Sequence, residues 1–157
     1  TNVENYSAIF IGGGNTYKLL NDLKASGSFE KIKAYIEQDG IVFGGSAGAI
    51  IFGYDIESCA AMDQNKVRLK DTKGFDVLSG YSVFAHYTNG SSRLTEQENR
   101  ERTERYTEEL LRYSQEHGPV IAMPEEDTLF LNGDHLEMIG SRPYYCFEEG
   151  KRREMIP

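Results

Sequence analysis

Ile41-Val42-Phe43-Gly44-Gly45-Ser46-Ala47-Gly48-Ala49-Ile50-Ile51-Phe52 is an apolar run, a turn of small residues and a second apolar run in immediate succession. A strand that turns sharply into a helix around a serine needs neighbours without bulky side chains, because the serine's backbone is strained and its flanks pack closely. Gly44 and Gly48 supply that clearance. The turn directs the Ser46 hydroxyl outward and aims the Ala47 N–H, at the start of the following helix, where an oxyanion would form. Acyl transfer by Ser46 is the chemistry this stretch proposes.

A nucleophilic serine needs a base and an acid, and the chain has 3 histidines from which to draw the base. His117 precedes Gly118-Pro119, where a helix ends and a basic side chain suits the helix dipole. His135 follows Asn132-Gly133-Asp134, a turn signal between two apolar runs. His86 closes the run Tyr81 to Ala85 and opens a polar loop, the place where a buried strand delivers a side chain to the end of a sheet. It is the candidate base. The strand-like Val120 to Pro124 leads into Glu125, the candidate acid, with Glu126 and Asp127 read as solvated loop charges. Asp63, between serine and histidine, is a weaker candidate for the border of the site. The order serine, histidine, acid differs from the serine, acid, histidine order of an ordinary α/β hydrolase.

A second oxyanion donor can come from Gly12-Gly13-Gly14, which follows the apolar Ile9-Phe10-Ile11 and precedes a helix capped by Asn15 or Thr16. A glycine loop of this kind could also cradle a phosphate. Gly12 to Tyr17 matches neither standard nucleotide-binding pattern.

Taken together, Gly12 to Thr16, Gly44 to Ala49, Gly74-Phe75-Asp76, His86-Tyr87-Thr88-Asn89 and Pro124-Glu125 resemble the peptidase E (S51) family of serine peptidases in order and spacing. The resemblance implies a class I glutamine amidotransferase-like (flavodoxin-like) α/β fold with a mostly parallel sheet between helices. It implies Ser46 as nucleophile, His86 as base and Glu125 as acid, with the Gly14 and Ala47 N–H groups as oxyanion hole. It further implies hydrolysis of small peptides, dipeptides with an N-terminal aspartate in particular, through an acyl-enzyme and without a cofactor. Asn15 and Arg100 are the candidate substrate-binding residues, with Arg102 and Arg105 as neighbours that could take the place of Arg100. Two other readings stay open: a related hydrolase of aspartyl or β-aspartyl polymers, and a binding module of the same fold without turnover. The family carries further strand and helix material ahead of the glycine loop, so the expectation is a shortened chain whose uncovered sheet edge favours a homodimer.

The rest of the chain is consistent with this. Its 157 residues suffice for one core, so a single domain over 1–157 is expected. A net charge of −8 argues against nucleic acid as a partner. No apolar stretch is long enough to span a membrane, and Cys59 and Cys146 read as reduced thiols of a cytoplasmic protein. Scattered histidines and unpaired cysteines offer no metal site. Strands are expected at 7–11, 41–45, 81–86, 119–123, 128–131 and 135–140, and helices at 16–25, 28–38, 46–53 and 95–116. Residues 54 to 75 and 87 to 94 read as irregular rims of a pocket.

Overall fold

The computed structural model describes residues 2–88 and 93–157, and the chain divides into two compact units, residues 1–83 and 84–157.

In the first unit, β1 (Ile9–Ile11) and β2 (Val42–Gly44) pair in parallel, with Phe10 opposite Phe43. Between them run α1 (Thr16–Ala25) and α2 (Ser28–Glu37), the crossover that a parallel pair requires. The helices bury Tyr17, Leu20, Phe29 and Ile32, residues whose spacing puts them on one stripe of each helix. Phe10 and Phe43 face outward with ring centroids 5.2 Å apart. The short helix α3 (Ala47–Ile50) follows β2. It is half the length expected, because the amides of Phe52 and Gly53 take tight i→i−3 bonds to Ala49 and Ile50 and close it. Residues 54 to 75 are less irregular than their composition suggests. A 3-10 turn at Ile56–Cys59 is capped by the Asp55 carboxylate and buries Ile56 and Cys59 completely. Gly74-Phe75-Asp76 is likewise a packing motif. A Cβ at Gly74 would lie 2.3 Å from the Gly53 carbonyl oxygen, Phe75 stacks on Phe29 at 4.5 Å, and the Asp76 carboxylate accepts from the Gly80 amide.

The second unit is built on a sheet of order β3–β4–β7–β8, which β3 (Ser82–Phe84) enters at its last residue. β7 (Tyr144–Glu148) pairs antiparallel with β4 (Val120–Ala122) on one side and with β8 (Lys151–Met155) on the other. Helix α4 (Glu96–Glu116) packs on β7 and β8 through Tyr106, Leu110 and Tyr113. Its start is a complete capping box: the Thr95 hydroxyl accepts from the Glu98 amide while the Glu98 carboxylate accepts from Thr95. His117 is its C-cap. β5 (Thr128–Asn132) and β6 (His135–Ile139) form a separate two-stranded hairpin. Its turn is Gly133-Asp134, with Gly133 at φ 57, so Asn132 ends β5 and His135 begins β6 as an exposed strand residue rather than a turn residue.

The α/β alternation is thus as read from the sequence, and the sheets are mixed because residues 120–155 add antiparallel strands. β7 and β8 escaped the sequence reading. β8 is Lys-Arg-Arg-Glu-Met, which looks like a solvated tail. The turn Glu149-Gly150, with φ 50 and 72, folds it back on β7 as an edge strand whose charges guard that edge. Among the described residues no helix is long and apolar enough to cross a membrane.

Candidate functional site

Ser46 sits between β2 and α3 with φ 57 and ψ −118, a conformation that costs an L-residue about 1–3 kcal/mol. Packing imposes it. A Cβ on Gly48 would lie 2.0 Å from the Ile11 carbonyl oxygen, and one on Gly44 would lie 2.3 Å from the Gly48 carbonyl oxygen. The Gly45 amide donates to Ile11 O, and the Ser46 carbonyl accepts from Ala49 and Ile50. Both flanking glycines are therefore compelled by backbone contact, and Ser46 is held half-buried with no side-chain cap role.

The glycine loop borders this serine: a Cβ on Gly13 would lie 3.2 Å from Ser46 Cβ and 3.6 Å from its Oγ. Gly14 has φ 131, open only to glycine. Ala47 is the first residue of α3, where amides lack intrahelical acceptors. Asn15 caps α1 by accepting from the Lys18 amide at 3.0 Å, and its Nδ2 donates to Gln64 O at 3.0 Å. Asp63 Oδ2 accepts from the Thr16 amide at 2.8 Å and from its hydroxyl at 2.6 Å. Asp63 thus ties the segment after the 3-10 turn to the start of α1, and with it the register of the glycine loop.

Beside Thr16 lie two unusually weak acids. Burial, reinforced by the charges of Asp63 and Glu57, pushes the Cys59 thiol up to about 12, although the Thr16 hydroxyl bonded to it opposes the shift. Burial and the neighbouring Cys59 and Glu57 likewise drive the Tyr17 hydroxyl well above its ordinary range. Both groups stay protonated at neutral pH.

In the second unit His86 has φ 59, and its Nδ1 is hydrogen-bonded to Glu125 Oε2. Each residue lies just past the end of its strand. The ladder sets their meeting: Met123 N donates to Phe84 O at 2.8 Å and Tyr87 N donates to Met123 O at 2.9 Å. Their side chains are 31% and 43% exposed. A carboxylate on Nδ1 selects the tautomer that presents Nε2 as the basic nitrogen and stabilises the imidazolium once a proton arrives. Glu126 and Asp127 are not loose charges: Glu126 pairs with Arg142 Nε at 3.2 Å, and Asp127 accepts from the Arg142 amide at 3.0 Å.

Tyr87, which the sequence reading passed over as a loop residue, is wholly buried behind His86. Its hydroxyl meets Thr107 Oγ1 at 2.6 Å and Arg152 Nη1 at 3.2 Å, and its carbonyl accepts from Thr103. Thr103 and Thr107, spaced i,i+4 on α4, were the available signal. Asn89, with the rest of 89–92, lies outside the described residues.

Among the arginines of α4, Arg100 and Arg105 are exposed. Arg102 differs: its Nε and Nη2 are buried and have no hydrogen-bond partner among the described residues, with Cζ 5.6 Å from the Tyr106 ring centroid.

Comparison with known proteins identifies the family. The model of the peptidase family S51 matches residues 1–139. Peptidase E of Escherichia coli O1:K1 / APEC and that of Shigella boydii serotype 18 are each 28% identical to this chain across 99% of it. The chain spans 64% of their length. The crystal structure of a protein described as a peptidase E from Listeria monocytogenes EGD-e superposes with a TM-score of 0.66 at 24% identity, covering 86% of this chain and 60% of that one. That likeness establishes the shared fold. With the family model spanning nearly the whole chain and both relatives of the same name, the chain belongs to peptidase family S51.

Proposed function

We propose that this chain is a serine peptidase of small peptides, acting on dipeptides with an N-terminal aspartate through Ser46, His86 and Glu125. The observation that carries the reading is the His86 Nδ1–Glu125 hydrogen bond at the end of β3 and β4; the strained Ser46 elbow beside Gly13 supports it. In the proposed reaction Ser46 Oγ attacks the scissile carbonyl while His86 Nε2 takes its proton. The oxyanion that forms is bound by the N–H groups of Ala47 and Gly14. Collapse of the tetrahedral intermediate expels the amine, which receives the proton from His86, and leaves an acyl-Ser46 ester. Water, deprotonated by His86, then attacks the ester and returns Ser46 as the hydroxyl.

Family membership supports the peptidase activity, and Arg102 supports acidic specificity, since its buried nitrogens match a carboxylate. Arg100 is the alternative contact, placed one helical side away at the surface. Asn15 contributes through the loop it caps. The chain needs no cofactor for this chemistry, and its unpaired cysteines suit the cytoplasm.

The experiment is hydrolysis of an Asp-Xaa dipeptide panel, with Glu-Xaa, Ala-Xaa and β-aspartyl controls, by the wild-type chain and by Ser46→Ala. Turnover of Asp-Xaa that Ser46→Ala abolishes is expected. Turnover confined to β-aspartyl substrates would move the reading to polymer degradation, and none by a folded sample would move it to a binding module.

A further inference from the structure

Among the described residues the hairpin β5–β6 is a sheet of two strands, so both of its outer edges are sheet edges. Exposed apolar side chains crowd it: Phe130, Leu131, Leu136 and Ile139 are 37–50% exposed. Such a hairpin is marginal alone in water, and unguarded edges pair with other chains. The two edges are not equivalent. β6 is His135-Leu136-Glu137-Met138-Ile139, with a glutamate at its centre, whereas β5 is Thr128-Leu129-Phe130-Leu131-Asn132 and carries no charge.

We infer that β5 is a self-pairing edge, joining two copies of this chain antiparallel about Phe130 into one sheet of order β6–β5–β5–β6. A two-fold interface must be complementary to itself. β5 meets that condition residue by residue. Turned about Phe130, it sets Phe130 against Phe130 of the second copy, Leu129 against Leu131, and Thr128 against Asn132. Aromatic and aliphatic cross-strand pairs are favourable, while the same operation on β6 would oppose two Glu137 carboxylates. Charge decides the same way: in a chain of net charge −8, an uncharged strand is where two copies approach with least repulsion.

Backbone register agrees. The two-residue turn Gly133-Asp134 makes Asn132 and His135 a hydrogen-bonded pair. By alternation Phe130 and Glu137 bond each other, and the N–H and C=O groups of Leu129 and Leu131 point to the free edge. Leu129 of one copy then bonds Leu131 of the other on both sides of the two-fold axis. Phe130 falls on a non-hydrogen-bonded pair, where side chains come closest.

Sedimentation equilibrium of the full chain tests this, with circular dichroism as the check of folding. The wild-type chain is expected to populate a dimer that Phe130→Glu and Phe130→Lys each abolish. An equimolar mixture of those two variants is expected to restore it, because opposite charges then meet at the axis. Phe130→Cys should cross-link to a covalent dimer on mild oxidation at least tenfold faster than Glu137→Cys, which shares the native cysteines. A monomer at every concentration, a dimer that survives Phe130→Glu, or equal cross-linking by the two cysteine variants would overturn the proposal. Activity plays no part in these measurements, so their failure is distinct from failure of the peptidase reading.

Discussion

Ser46 and His86 are both non-glycine residues with positive φ, at 57 and 59. Asp39, Arg68, Asp76, Ser79 and Glu149 share the sign of φ, so it is the place of Ser46 beside the glycine loop and of His86 against Glu125, and not φ alone, that sets these two apart. Replacing Ser46 with alanine is expected to lower kcat by about 10⁴-fold or more while leaving the fold intact, checked by dipeptide turnover beside a thermal melt. Glu125→Gln keeps the hydrogen-bond length but offers the wrong partner to Nδ1, and kcat should fall by about 10²–10⁴-fold with little change in KM. Gly48 is different. Its alanine variant drives a Cβ to 2.0 Å from Ile11 O, so a loss of about 1–3 kcal/mol in urea unfolding is expected. Arg102 gives the sharpest separation of stability from function. Arg102→Met keeps the apolar stem and removes a guanidinium whose Nε and Nη2 are buried with no hydrogen bond among the described residues; KM for Asp-Xaa is expected to rise and that for Ala-Xaa to stay unchanged, with a thermal melt as the check of stability.

Elements show why some readings from sequence are safe. The capping box Thr95-Glu98 was legible because its partners are three residues apart, and so was the elbow, whose glycines clear contacts between adjacent turns of chain. The Glu98 carboxylate is held below its ordinary range by the Thr95 amide and hydroxyl. A depressed folded-state value means that this support is complete above the ordinary carboxylate range and is lost as pH falls through the lowered value. The first turn of α4 should therefore fray on acidification, read as faster amide exchange at Gln97 and Glu98; Thr95→Ala, which removes the hydroxyl and keeps the amide that donates to Glu98, should weaken that pH dependence without abolishing it. β8 was illegible for the complementary reason. Its residues carry no strand pattern, and only the Glu149-Gly150 turn returns them to β7.

At the scale of the whole molecule, the buried acids of the first unit set an alkaline limit. Cys59 moves from 9.0 to about 12 and Tyr17 moves in the same direction, both through burial first. For a raised folded-state value, stability is full below the unfolded value and is lost as pH climbs above it. The free energy of unfolding is thus expected to decline from about pH 9 upward, by at most roughly 1.4 kcal/mol per pH unit for each such group, and the thermal midpoint should fall with it. Cys59→Ala should flatten that decline in part, and Cys59 should resist alkylation in the native state while half-buried Cys146 reacts.

By itself the sequence determined the α/β alternation, the Ser46 elbow, the glycine loop, the helix caps and the family, all of which depend on residues close together along the chain. Tertiary structure decided which carboxylates do what. Asp63, read as a border of the site, is spent on Thr16 across 47 positions, and Glu126 and Asp127, read as solvated charges, are held by Arg142. It also decided that Arg102, among several similar arginines, holds its Nε and Nη2 out of water. The reason is physical: hydrogen bonding and desolvation act through space, and a linear pattern records only the part of space that lies within a turn or two of chain.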